Sequence, residues 1–208
     1  MIIMKRLLLS QGRTGSLNLT RFIRESNKSE VRVYREPFNT TAMQDTNIIH
    51  SLSDILNEKN IFVENKIGKG SLPSEFQNKS YEDIISFFLK SFDIIGLLVR
   101  KDITSQIQSV LNAKSSGIWA SKYYYKEIDE NLSLETEVLL KEERNLVEDI
   151  SNQYNIPLFY YEDLYISNQL ENVKNFCKYF YLKFDENIMN LHMSIDGKYR
   201  IDYSKKVL

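Results

Sequence analysis

Residues 7–23 read "LLLSQGRTGSLNLTRFI": an apolar run, then a loop with two glycines around an arginine and a threonine, then apolar residues at three- and four-residue spacing. The pattern predicts a strand ending at Ser10, a loop holding Gly12 and Gly15, and a helix starting near Ser16. Such a junction gathers backbone N–H groups and a helix N-terminus at one point, which is a prepared anion site. Glycine at 12 and 15 lets the backbone curl inward and approach an oxyanion, and Arg13 adds a planar positive fork. A nucleoside-triphosphate loop has lysine directly after its last glycine, reaching the β and γ phosphates, and then a hydroxyl that holds magnesium. Here Gly15 is followed by Ser16. ATP with magnesium is therefore a poor fit, and an anion held by arginine, hydroxyl and backbone is a good one. The competing structural reading is a tight turn with a surface arginine.

Working outward, short apolar runs recur at 6–10, 31–34, 61–67, 93–100 and 156–161, the rhythm of a parallel sheet. Between them, helical spacing predicts crossover helices over Leu17–Glu25, Thr46–Leu56, Tyr81–Leu89, Ile103–Ala113, Leu134–Ile150 and Leu170–Tyr179. Together these predict an α/β fold: one domain over residues 1–208, with a P-loop-type parallel sheet of about five strands flanked by helices on both faces. Ligands of such sheets lie beyond the carboxyl ends of the strands, so the residues just after each apolar run are the first candidates.

Charge is nearly balanced, with Lys+Arg 27 against Asp+Glu 28, which gives no case for a nucleic-acid partner. The field is positive only locally: residues 1–35 hold Lys5, Arg6, Arg13, Arg21, Arg24, Lys28, Arg32 and Arg35 against Glu25 and Glu30. From Glu127 to Asp149 the balance reverses, with Lys141 and Arg144 the only basic residues; a solvated outer helix with an apolar stripe through Leu134, Val138, Leu139, Leu146, Val147 and Ile150 is expected, with a lid over the site as the alternative. The opening apolar run is broken by Lys5 and Arg6 and is too short to span a bilayer. A lone cysteine, Cys177, and the lack of a cleavable signal lead us to expect a soluble, cytoplasmic protein with Cys177 as a buried small hydrophobe. There is no His/Cys cluster with metal-ligand spacing, so no metal is expected.

A second basic group follows the fourth apolar run. In residues 97–119, "LLVRKDITSQIQSVLNAKSSGIW", Arg100 and Lys101 close the strand, and Ser105 and Ser109 lie four apart on one face of the next helix. Taken alone, Arg100 and Lys101 read as cations snorkelling at a strand end. Paired with the Gly12–Ser16 loop, they suit a ligand carrying two separated phosphate-type groups.

These residues resemble the sulfotransferases that use 3'-phosphoadenosine 5'-phosphosulfate (PAPS), above all the bacterial trehalose-type and Golgi carbohydrate branches. The stretch Gly12–Ser16 is similar to that family's 5'-phosphosulfate loop, which implies donor-binding roles for Gly12, Arg13, Thr14, Gly15 and Ser16. Residues 99–109 are similar to its 3'-phosphate motif, which implies the same for Ser109 and for Arg100 or Lys101, the spacing falling on Lys101 where the family carries arginine. "YREPFN" at 34–39 resembles the Glu-Pro pair of the carbohydrate branch and implies Glu36 as the base. Trp119, in "SSGIW", resembles the residue bordering the acceptor region, with core packing as its other reading. "YYEDL" at 160–164 looks like a structural stretch of the family.

The resemblance thus implies transfer of a sulfuryl group from PAPS to a hydroxyl of a carbohydrate or glycolipid-like acceptor, with Arg13 and Glu36 as catalytic residues. Aromatic residues in "KYYYKE" at 122–127 offer faces for a sugar ring, or core; Lys198 and Arg200 could cover the 3'-phosphate, or belong to a solvated tail. His50 is the reserve base. The rival readings are an ATP-dependent phosphotransferase with a degenerate loop and a non-catalytic nucleotide-binding module.

Overall fold

β1 (Lys5–Ser10) runs through the middle of a five-stranded, all-parallel sheet with the strand order β2-β3-β1-β4-β5. This is a computed structural model, and the residues it describes are 3–38, 51–68, 71–76, 78–116 and 130–193. Its other strands are β2 (Arg32–Arg35), β3 (Ile61–Lys66), β4 (Ile94–Val99) and β5 (Leu158–Tyr160). In chain order the helices are α1 (Ser16–Ser26), α2 (Leu52–Asn57), α3 (Tyr81–Ser91), α4 (Ile103–Ser116), α5 (Glu130–Tyr154), α6 (Tyr161–Tyr165), α7 (Gln169–Tyr179) and α8 (Glu186–Met193). The expected α/β class, strand number and parallel direction are those of the structure. No helix among the described residues is long and apolar enough to cross a membrane.

Both faces of the sheet are covered, because successive strand residues point to opposite sides. Leu7, Leu9, Val63, Leu97 and Val99 face a core built with α2, α3 and α5 through Ile55, Ile84, Phe88, Val147 and Ile150. Leu8, Phe62 and Leu98 face the other core, with α1, α6, α7 and α8 supplying Leu19, Phe22, Leu164, Phe176 and Met193. Cys177 is buried in this second core, where desolvation raises its thiol to about 12 and leaves it inert.

Several boundaries differ from the sequence expectation for local reasons. The predicted helix over Thr46–Leu56 begins only at Leu52, because Ser51 is extended and caps the first turn: its hydroxyl accepts from Asp54 N–H while the Asp54 carboxylate accepts from Ser51 N–H. Residues 46–50 lie outside the described residues. The run at 156–161 holds a strand of just three residues, and Tyr161 opens α6. The helical spacing in the sequence predicts neither α6 nor α8. On α5 the inward face is Thr136, Leu140, Val147 and Ile150, whereas Leu134, Val138 and Leu139 are exposed, so the expected apolar stripe is only partly the packed one.

Gly96 in β4 lies under two aromatic rings; a Cβ there would stand 2.7 Å from Phe180 Cζ and 2.9 Å from Phe159 Cε2. Overpacking of this kind costs about 1–3 kcal/mol. Gly96→Ala is therefore expected to lower the midpoint of chemical denaturation by that amount without changing its slope, as measured by circular dichroism.

Candidate functional site

The sheet continues one residue past β1, where Gln11 N–H donates to Leu98 O (3.0 Å), and the chain then turns through the loop into α1. Three contacts fix the turn. Thr14, wholly buried, donates its hydroxyl to Gln11 O (2.9 Å); Gln106 of α4 donates to Gly12 O (2.7 Å); and the Tyr165 hydroxyl donates to Gly15 O (2.6 Å). The Thr14 side chain thus shapes the loop from inside, and what it can present to a ligand is backbone. Arg13 and Gly15 both lie in the left-handed region, at φ 63° and 72°, so the loop alternates handedness as anion-binding nests do.

The two glycines differ. A Cβ at Gly15 would come within 2.8 Å of Tyr161 Cε2 and 3.0 Å of Tyr165 Cε2, so both φ and space require glycine. At Gly12 a Cβ would meet nothing within 4 Å and φ is not left-handed, so the protein itself does not demand glycine there; that side of the backbone is open to approach.

The loop meets the segment after β4 through Ser109. Arg13 Nε donates to Ser109 Oγ at 2.8 Å, and Ser109 is buried. Ser105 does not join it. Ser105 is exposed and donates through its N–H and hydroxyl to the Asp102 carboxylate, capping α4 and holding the Asp102 pKa below its usual value. The two cations after β4 also part. Lys101, half exposed, is paired with Asp163 at 2.6 Å. Arg100 turns inward, its guanidinium 4.3 Å from the centre of the Tyr161 ring and 3.7 Å from Glu162. Glu162 accepts the N–H groups of Lys101 and Asp102 at 2.7 and 3.2 Å, which gives the "YYEDL" stretch a structural role at the β4–α4 turn.

At the other side of the loop stands a charged group from β3, within an apolar run that by its pattern reads only as a buried strand. Lys66, the last residue of β3, donates to Ser10 Oγ (2.8 Å), Ser16 Oγ (2.6 Å) and Glu64 Oε1 (2.8 Å). Ser10 also donates to Glu64 Oε1 at 2.5 Å. Glu64 is completely buried; burial by itself would raise its pKa, but the Lys66 ammonium and the neighbouring hydroxyls outweigh that and hold it below the usual carboxylate range. Glu36 joins the group from the end of β2, its Oε1 3.8 Å from Lys66 Nζ. Its backbone is left-handed at φ 45° and is fixed there by its N–H donating to Glu64 O at 2.7 Å. Such strain in a residue with a side chain persists where the surroundings over-determine it, often at functional sites. The available signal was "ENK" at 64–66: two charges two apart on one side of an otherwise buried strand.

Gly12, Arg13, Thr14, Gly15, Ser16, Glu36, Lys66 and Ser109 thus form one constellation at the carboxyl edge of β1, β2 and β3, joined by the middle of α4, with Arg100 one ring away through Tyr161. Among the described residues, buried polar atoms lacking a hydrogen-bond partner include Gln11 Oε1, Glu64 Oε2, Arg100 Nε and Gln106 Oε1. Each is costly to leave unmatched in the folded chain, and all four sit on the segments that frame the loop. Trp119, His50, Lys198, Arg200 and the aromatic residues at 122–127 lie outside the described residues. His192 is in α8, with Nε2 3.0 Å from Glu25 on α1, and serves helix packing. The described surface grooves, bordered by Val31, Arg32 and Asn60 and by Ile94, Ile95 and Pro157, open at the amino ends of the strands and contain none of the site residues.

No protein-family model matches the chain, and no curated protein matches its sequence.

The Glu64 pKa makes stability depend on pH. In the unfolded chain Glu64 regains an ordinary value near 4.3, so its ionisation stabilises the fold above that pH and the contribution is lost as pH falls through the lower folded value. Wild-type protein should therefore lose stability more steeply than Glu64→Gln below about pH 4.3, as read from denaturation midpoints across the acid range.

Proposed function

We propose that the protein is a sulfotransferase that moves the sulfuryl group of PAPS to a hydroxyl of a carbohydrate or glycolipid-like acceptor. The observation that carries this reading is the 2.8 Å hydrogen bond from Arg13 to Ser109: the two candidate anion-binding stretches, with these residues 96 apart in sequence, adjoin at one edge of the sheet. A donor with a 5'-phosphosulfate and a 3'-phosphate calls for two such groups within one nucleotide's length.

In this reading Arg13, Ser16 and the loop N–H groups hold the 5'-phosphosulfate. Ser109 and Arg100 hold the 3'-phosphate. Arg100 is the better placed of the two cations after β4: both face a carboxylate, but Arg100 is largely buried and its Nε, 3.7 Å from Glu162, makes no hydrogen bond, whereas Lys101 is half exposed and hydrogen-bonded to Asp163 at 2.6 Å. Glu36 accepts the proton of the acceptor hydroxyl as its oxygen bonds to sulfur; the bond from sulfur to the bridging oxygen breaks, and its electron pair stays on the 5'-phosphate oxygen. Transfer of this kind depends on in-line positioning and on neutralising charge at the equatorial and leaving oxygens, which donors fixed in advance supply.

Ligand-dependent melting tests the reading. At about 100 times its dissociation constant a ligand that binds only the folded protein adds ~2.7 kcal/mol, and adenosine 3',5'-bisphosphate is expected to raise the melting temperature where ATP with magnesium does not. The reverse order would favour a phosphotransferase. Stabilisation by the bisphosphate without transfer of labelled sulfuryl group to any hydroxyl in a glycan screen would favour a non-catalytic nucleotide-binding module.

Two variants test the roles. Arg13→Ala is expected to lower turnover by ~100- to 1000-fold. Glu36→Gln should abolish turnover while keeping bisphosphate affinity; equal loss of both in steady-state kinetics and calorimetry would assign Glu36 a structural role.

A further inference from the structure

Lys66 is surrounded as a bound cation is surrounded. Its ammonium has oxygens of Ser10, Ser16 and Glu64 at 2.8, 2.6 and 2.8 Å, with Glu36 Oε1 at 3.8 Å. In phosphate loops that work with magnesium, the metal is held by the hydroxyl residue at the start of the loop's helix and by a carboxylate from another strand. Ser16 is the first residue of α1, and Glu64 is a fully buried carboxylate on β3, the direct neighbour of β1. The ammonium stands between these two groups. Glu64 Oε2 is buried with no hydrogen-bond partner, so the carboxylate keeps coordinating capacity that the protein leaves unused.

We propose that Lys66 is a tethered counter-ion that fills, beside the phosphate loop, the position of a divalent cation, delivering positive charge from the neighbouring strand to an anion bound at Ser16. The lysine missing after Gly15 is thereby supplied from β3, and by a different route: it replaces the metal rather than assisting it. An ammonium has three donors and no acceptor. The Ser16 contact is one it can exchange for an anion oxygen without abandoning the buried carboxylate, and the Ser16 hydroxyl, which only accepts from the ammonium, can donate its own proton to the same anion. A divalent ion at this place would have to displace the ammonium from Glu64 or share the carboxylate with it at close range, where like charges repel. The inference rests on the reading of the loop as an anion site, as the proposed function does, but not on which group is transferred.

Manganese binding, followed by the paramagnetic resonance signal of the free ion and without nucleotide, tests it on the full chain. Lys66→Ala uncovers Glu64, Ser10 and Ser16 and is expected to bind one manganese ion at least tenfold more tightly than wild-type protein, and to regain with the ion part of the melting temperature it loses. The double variant Lys66→Ala with Glu64→Gln removes both charges; it should fold and lose the gained binding. If Lys66→Ala does not accumulate as folded protein, Lys66→Gln, which keeps a neutral donor for Glu64, takes its place with the same expectation. Wild-type protein that binds manganese as tightly as the variant, or a variant that gains neither binding nor thermal recovery, would overturn the proposal. Failure of adenosine 3',5'-bisphosphate to bind wild-type protein would instead overturn the sulfotransferase reading, and the manganese comparison would still decide the role of Lys66.

Discussion

Parallel pairing of β1 on both sides governs everything at the candidate site. With β3 on one flank and β4 on the other, Ser10 lies level with Lys66 and Leu98, so the carboxyl ends of three strands arrive at one line. The loop after β1 therefore receives charge from β3 and the Ser109 hydroxyl from the helix after β4 without any segment having to reach. A one-residue slip in the β1–β3 pairing would send Glu64 and Lys66 to the opposite face of the sheet, and the loop would lose these neighbours. The aromatic packing of Tyr161 and Tyr165 against Gly15 adds a second restraint from below.

The chain solves an electrostatic problem locally that its composition does not address. A nearly neutral protein cannot draw an anion by its overall field, and here three cations around the loop are placed against specific counter-groups: Lys66 against Glu64 and Glu36, Arg100 against Glu162 and a tyrosine ring, Lys101 against Asp163. Such pairing holds flexible side chains in position before any ligand arrives, which lowers the ordering cost of binding. Exposure grades these pairs, and the half-exposed Lys101 contact is the one most weakened by solvent.

Most of the sheet was legible because its strands are continuous apolar runs, the signature of strands buried on both faces. The first loop was legible because glycine and arginine interrupt such a run abruptly. What was missed has local causes. Lys66 and Glu64 sat inside a stretch read only for its hydrophobicity, and their meaning depends on Ser10 and Ser16, some fifty residues away. Ser105 and Ser109 look equivalent by helical spacing, yet Asp102 claims one as a cap partner and leaves the other to the loop. α6 follows a three-residue strand without a turn residue between them, so no sequence signal separates the two. Gly12 and Gly15 appear alike in the sequence, and only the tyrosines beneath Gly15 distinguish them.

At the far edge of the sheet, Arg6 is buried almost entirely, and its guanidinium is met mainly by carbonyls: Phe180 and Tyr181 after α7, Met4 before β1, and Ile61 on β3, with the Asn60 side-chain oxygen as a further acceptor. Burial depresses its pKa, but an arginine so placed has no neutral form to fall back on. Peeling the C-terminal helices from the sheet would strip this permanent charge of two acceptors while it remained inside. The central strand and the C-terminal helices consequently share one fate, and a segment more than 170 residues downstream of β1 behaves in denaturation as part of the first strand's own foundation.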